Sequence, residues 1–409
     1  MLKAVQNSAA RSLALLVVAE IGAMSLWFIS AAIMPELARE AALGSWRAGL
    51  LSSSVQIGFV LGALTMALHG TADRYDPRRV FSICALLAAM SNALLIVTTP
   101  GGDLQILLRT LTGIGLAGVY PVGMKIAVGW TVKRRGLLVG LLVGALTLGS
   151  ASPHALALIG DANWRMTVSL ASACAGISAG LILFARLGPH HVPAPRFSPA
   201  SLRLAWTSRP IRLAYAGYLC HMWELYAFWA WIAAALSASL ALANVEDPAQ
   251  TARLATFAAI GLGGVFCVPA GALADRIGKA RVAGGAMALS ATFAFATALS
   301  FGGPAWLTIA LAVFWGIFVI PDSAQFSALV ADAAPADRAG SLMTFQTALG
   351  FLLTAVTIQS APFLAESFGW SVTLTVFGIG PLLGVEAMRR LARATTTAER
   401  KTIKKEASV

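Results

Sequence analysis

Twelve continuous apolar runs dominate this sequence, and each is long enough to cross a bilayer as a helix. They fall near 12–34, 48–68, 80–98, 104–129, 136–160 and 165–186, then near 212–242, 253–274, 281–301, 305–330, 340–364 and 370–391. A membrane-spanning helix needs about 20 apolar residues to cross a hydrocarbon core of roughly 30 Å. A transmembrane β-barrel is excluded, because its strands alternate apolar and polar residues and these runs do not. Charged residues make up 12% of the 409-residue chain, against about 25% in soluble domains. The expected fold is therefore an all-α polytopic membrane protein with twelve transmembrane helices, numbered α1 to α12 in chain order. Glu20 inside the first run marks that run as a span rather than a cleaved signal peptide.

Between the sixth and seventh runs lies a gap with five prolines, including Pro189, Pro193 and Pro195. Such a segment reads as a linker. The expected organisation is an N-terminal six-helix half (1–187), a central linker (188–211), a C-terminal six-helix half (212–391) and a basic tail (392–409). With both termini in the cytoplasm, 24 of the 30 Lys and Arg residues fall on the inner side. The outer side receives Arg39, Arg47, Arg165 and Arg253, and Arg109 and Lys125 stay within a span. This asymmetry sets the orientation. It also accounts for the net charge of +12 without nucleic acid, the tail acting as a topology and lipid-headgroup signal. Cys84, Cys174, Cys220 and Cys267 all fall inside apolar runs, so neither disulfides nor a metal site is expected.

The halves repeat each other. Gly271-Ala-Leu-Ala-Asp275-Arg276-Ile-Gly278-Lys279-Ala-Arg281 follows α8. The matching loop after α2 is His69-Gly-Thr-Ala-Asp73-Arg74-Tyr-Asp76-Pro-Arg78-Arg79, so Asp275 lies 202 positions after Asp73. Val119-Tyr120-Pro121 in α4 answers Val319-Ile320-Pro321 in α10, 200 positions on, and Gly149 in α5 answers Gly350 in α11. A constant offset marks an internal repeat. Two six-helix halves related by an axis along the membrane normal place a binding site between them at mid-depth.

Twelve spans, a long central loop and the G-x-x-x-D-R-x-G-K-x-R loop between α8 and α9 resemble the major facilitator superfamily. Arg109-x-x-x-Gly113 in α4 resembles a second motif of that family. Within it, the chain looks closest to bacterial cyanate or nitrate transporter-like carriers. The resemblance implies that Asp275, and Asp73 by position, meet a helix N-terminus and basic partners at the cytoplasmic side and help hold the outward-facing state. It assigns Arg74, Arg276, Lys279 and Arg281 to the same gating loops. Gly271 is expected to let backbones approach, and Gly278 to permit a tight turn. With His69 and Asp76 at the two glycine positions, the N-terminal loop is the eroded copy, and Asp275 is expected to gate more strongly than Asp73. The glycines from Gly113 to Gly149 are expected to bring α4 and α5 together.

Ionisable groups inside a span are expensive and point to function. Glu20 on α1 and Glu224 on α7 sit near mid-depth on repeat-related helices, so both acids are expected to face a common centre. Trp27 shares a helical face with Glu20, and His221 with Glu224. Arg109 and Tyr120 share a face of α4, where Arg109 is read as a partner of Glu20 or of a substrate anion; Lys125 lies nearer the inner surface. His154 after Pro153, Asp322 after Pro321 and Gln346 on α11 complete the candidate substrate and proton site. Each acid has an alternative, structural reading as a carboxylate bonded to a neighbouring helix.

The function expected is secondary active transport by alternating access, proton-coupled through Glu20 and Glu224, of a small organic or inorganic anion selected by Arg109 and Lys125. One alternative is proton-driven efflux of a drug or hydrophobic compound, favoured by Trp27, Trp223, Phe228, Trp229 and Trp231. Another is a non-transporting membrane receptor on a carrier fold. No nucleophile, phosphate-loop or metal spacing is present, so neither an enzyme nor a cofactor is expected. The expected setting is the bacterial inner membrane, with the lipid bilayer, the solute and protons as partners of a monomer.

Overall fold

A computed structural model describes residues 2–130, 135–159, 163–191, 198–335 and 337–406. Lys133 and Arg134, the linker stretch 192–197 and the last three residues lie outside the described residues, as do the side chains of Lys3 and of the tail beyond 394. The described residues form helices and no strand. Twelve of these helical units are long and apolar enough to span a membrane. They are α1 (Ser8–Ala41), α2 (Ser45–His69), α3 (Pro77–Val97), α4 (Asp103–Val128), α5 (Leu137–Ile159) and α6 (Trp164–Phe184). After the linker come α7 (Arg209–Leu242), α8 (Pro248–Ile277), α9 (Lys279–Leu299), α10 (Ala305–Ala333), α11 (Ala339–Phe368) and α12 (Trp370–Ala394). The α12 helix runs on through the tail as far as Glu406.

Local chemistry sets several boundaries. Asp76 caps α3 by accepting from the Arg78 backbone N–H at 2.9 Å, ahead of Pro77 at the first helical position; Asn163 caps α6 and Asp247 caps α8 in the same way. A cap oxygen satisfies an N–H that the helix itself cannot. Gly278 turns the chain from α8 to α9 at φ +100°, a conformation reserved in practice for glycine.

Three spans are interrupted. The α1 helix opens into a turn over 25–28, α4 breaks between Leu116 and Tyr120, and α10 breaks between Val319 and Ser323. Pro121 and Pro321 explain the last two, since proline removes a backbone donor and clashes with the preceding turn. The break in α1 has no proline and is held by a side chain described below.

Glycines bring helices together, but not α4 to α5. A Cβ on Gly113 would stand 2.1 Å from the Val55 carbonyl oxygen, and one on Gly58 2.0 Å from that of Thr110, so these two glycines join α4 to α2. Gly115 and Gly118 lie against Cys84 of α3. On α5, Gly149 packs on Ile21 and Met24 of α1, while Gly144 packs on Gly264 of α8. Gly271 has nothing within 4 Å of its would-be Cβ, so it supports no close approach here.

Candidate functional site

The unwound turn of α1 presents the carbonyls of Leu26 and Trp27 inward. Both are taken by Arg109 of α4, at 2.9 and 2.7 Å, and its third contact is Asn92 Oδ1 of α3 at 3.2 Å. The Asn92 amide donates in turn to Ser172 of α6 at 3.0 Å. Arg109 is buried. Sequence reasoning offered it to Glu20 or to a substrate anion; instead its donors engage backbone. A guanidinium presents several donors in a rigid fork, which suits adjacent carbonyls.

Glu20 lies fully buried on α1, and neither carboxylate oxygen has a hydrogen-bond partner among the described residues. It faces the second segment of α4, where Gly123 leaves the space: a Cβ there would stand 2.9 Å from Oε2. Tyr120, half-buried at the start of that segment, lies within electrostatic reach of Glu20 and also of Tyr218 and Cys267 from the last six spans. Glu20 therefore sits close to the seam between the first six spans and the last six.

The acids do not share a centre. Glu224 accepts from Ser290 of α9 at 2.9 Å and from the Trp315 indole of α10 at 2.7 Å. It is turned into the last six spans, and the structural reading of this carboxylate prevails. The residue that answers Glu20 at the repeat offset is His221, 201 positions later. His221 Nδ1 stands 3.0 Å from Asp322 Oδ1 in the break of α10, within ion-pair range but off the preferred hydrogen-bond direction. Both side chains are buried. The proline-linked break in each set thus lies near an ionisable side chain from repeat-related helices: Glu20 of α1 at the α4 break, His221 of α7 at the α10 break. Gln346 on α11 is buried with both amide atoms unpartnered.

Lys125 leaves the candidate substrate site. It is ion-paired with Asp73 of the loop after α2, so the eroded copy of the motif is engaged. Asp275 of the intact copy is exposed and makes no hydrogen bond or ion pair among the described residues. Lys279 of that loop pairs instead with Asp332 at the end of α10. In this conformation the aspartate of the eroded copy is the ion-paired one of the two. Arg74 and Arg276 are exposed, and Arg281 donates to the Ile277 carbonyl at 3.2 Å.

Trp27 is the hub of an aromatic plug across the seam. Its ring centroid lies 4.9 Å from Phe59 of α2, 5.7 Å from Tyr226 of α7 and 5.4 Å from Phe351 of α11. Phe28 adds an edge contact to Trp229 at 5.5 Å. Beyond the plug, toward the face opposite the basic loops, side-chain bonds cross between the two sets of spans. Arg253 of α8 pairs with Glu36 of α1, Ser53 of α2 donates to Gln359 of α11 at 3.0 Å, and Ser45 bonds Glu366. Arg253, expected on the outer side, is buried there. His154 of α5 is also buried, with neither ring nitrogen partnered.

Sequence reasoning missed Tyr218, Tyr226 and Arg253. The first two lie on α7 three residues before His221 and two after Glu224, and that nearness to the candidate residues is the signal that would have found them. Nothing in the sequence distinguished Arg253 from an ordinary flanking base.

Twelve spans, three of them broken beside buried ionisable side chains and two sets of six meeting at a seam, define a polytopic carrier. Residues 16–266 match the sequence profile of the Major Facilitator Superfamily, and the chain belongs to that family. Members of that family are transmembrane transporters. Over 185 residues it is 30% identical to the inner membrane metabolite transport protein YgcS of Escherichia coli, an overlap of 44% of this chain and 37% of that one. Among solved structures, it is similar to the inward-open xylose transporter XylE from E. coli (14% identity, TM-score 0.73, covering 93% of this chain and 96% of that one). It is equally similar in fold to a bacterial homologue of the human lysosomal transporter Spinster in an inward-facing, unoccupied conformation (12% identity, TM-score 0.73, covering 94% and 97%).

Proposed function

We propose that this chain is a proton-coupled carrier of a small organic metabolite, working by alternating access. The two sets of six spans, 1–187 and 212–391, move as halves about the seam, joined by the linker 188–211. The observation that carries proton coupling is Glu20, buried close to the seam with neither carboxylate oxygen hydrogen-bonded among the described residues. An isolated carboxylate charge is costly in such a place, and a proton is the smallest partner that removes the cost. His221 and Asp322 occupy the corresponding place in the other half, as a pair able to share or pass a proton. Related proteins support the reading: one curated relative is named a metabolite transporter, and a solved structure of similar fold is a D-xylose–proton symporter. The clustering of Lys and Arg supports cytoplasmic termini, and the Escherichia coli relative, named an inner membrane protein, supports a bacterial inner membrane.

Arg109 and Lys125 no longer argue for an anion, since both are engaged within the protein. Efflux of a hydrophobic compound is not favoured either, because the aromatic residues that pointed to it are already engaged: Trp27 and Trp229 with other rings across the seam, Phe228 with Trp315, Trp231 with Trp370, and the Trp223 indole with the Val376 carbonyl. The test is a solute screen on proteoliposomes carrying a pH indicator inside. A transported metabolite is expected to move protons in the same direction as itself; uptake of that metabolite with no change in internal pH contradicts the coupling.

A further inference from the structure

The antiparallel contact of α5 with α8 holds a group of buried polar atoms that the mechanism above does not use. Its register is fixed by close approaches: Gly140 lies against Cys267, Gly144 against Gly264 and Leu148 against Gly261. Each step along α5 is matched by a step back along α8, which brings His154 level with the turn that carries Arg253 and Thr256. His154 is within electrostatic reach of Arg253. Ser150 is one turn before His154, and Thr256 one turn after Arg253, so each pair shares a helical face. All four are buried. The Ser150 hydroxyl, both His154 nitrogens, the Thr256 hydroxyl and the Arg253 Nε have no partner among the described residues.

Buried polar atoms without partners are uncommon in folded proteins and call for a specific explanation. Here they are rich in donors: two hydroxyls, an imidazole N–H and the side of a guanidinium. The acid beside them, Glu36 of α1, is already bound to Arg253. Glu36 also keeps a second base, Arg39, at 3.6 Å, so its charge is not abandoned when Arg253 turns away. Arg253 is thus held by an internal carboxylate from the opposite half, at the face where the two halves are bonded together.

We propose that Arg253, with His154, Ser150 and Thr256, is the receptor for the carboxylate of the transported solute, and that Glu36 is the internal carboxylate that occupies Arg253 while the site is empty. Opening of this face separates α1 from α8, frees the guanidinium fork, and lets an incoming carboxylate take the place of Glu36. A planar guanidinium binds a carboxylate through two parallel hydrogen bonds, which neutral solutes cannot match. This names a substrate class, organic acids, for the carrier proposed above and rests on that reading.

Binding of lactate, succinate and benzoate, each against its own amide, tests it by thermal shift of the purified full chain. At least one carboxylate is expected to raise the melting temperature by several degrees while its amide does not. Arg253→Lys should weaken that binding at least tenfold. Glu36→Gln, which removes the internal competitor, should strengthen it by a similar factor. The paired variant Glu36→Gln with Arg253→Gln carries no unbalanced charge, guards against misfolding, and should abolish the difference between acid and amide. Equal stabilisation by acids and amides, no stabilisation by any of the three acids, or unchanged acid binding in the paired variant would overturn the proposal. Arg253-dependent acid binding without proton movement would count against the coupled-carrier reading and leave the receptor standing, so the two failures are distinguishable.

Discussion

Arg109 on α4 donates to the Trp27 carbonyl on α1 at 2.7 Å, so a charge buried within a span holds open the break in a neighbouring helix. The repeat position of Arg109 is Ile309, and α7, the counterpart of α1, runs unbroken from Arg209 to Leu242. Base and break occur together in one half and are both missing from the other. Arg109→Gln is therefore expected to destabilise the protein by about 2–4 kcal/mol, from hydrogen bonds to a charged group lost and carbonyls left buried. Thermal unfolding in detergent checks this, together with uptake by the surviving protein, whose solute preference should not change.

Lys125 and Asp73 form an ion pair that ties the loop after α2 to α4 in this conformation. Asp73→Asn should shift the population between conformations, and Asp275→Asn should leave this conformation as stable as before. Double electron–electron resonance between spin labels on the two halves reads the shift directly. Equal shifts from the two substitutions would contradict the asymmetry.

Asp76 gives a pH dependence with a defined sign. The Arg78 side chain bonded to it, at 2.6 Å, holds its carboxyl below the usual carboxylate range. A folded-state value lower than the unfolded one means that the ionised form stabilises the fold above that range, and that this contribution is lost as pH falls through the folded value. Asp76→Ala should cost about 1 kcal/mol at neutral pH through the lost cap. Measured against wild type, that difference should shrink as the pH is lowered past the carboxylate range.

Gly113 and Gly271 were both singled out by motif, yet they should behave oppositely. Gly113→Ala places a Cβ 2.1 Å from the Val55 carbonyl oxygen and forces α4 away from α2, whereas Gly271→Ala meets nothing within 4 Å. The first should cost about 1–3 kcal/mol as overpacking, and the second should leave thermal stability unchanged.

The architecture was legible because lipid imposes a length on every apolar run and topology imposes a bias on Lys and Arg. The breaks at Pro121 and Pro321 were legible from proline chemistry. The break over 25–28 was not, since no residue there forbids a helix; only the distant Arg109 reveals it. Glu20 and Glu224 looked equivalent by depth and composition, and only the donors from Ser290 and Trp315 separate them. Those donors come from helices 66 and 91 residues away in the chain, beyond the reach of any periodicity.

Glu20→Gln is the measurement closest to the central claim. In proteoliposomes, the variant should lose uptake driven by a pH gradient and keep exchange of labelled for unlabelled solute, because exchange needs no net proton movement. Glu224→Gln should lower stability and leave gradient-driven uptake coupled. Retained gradient-driven uptake in Glu20→Gln would contradict the account.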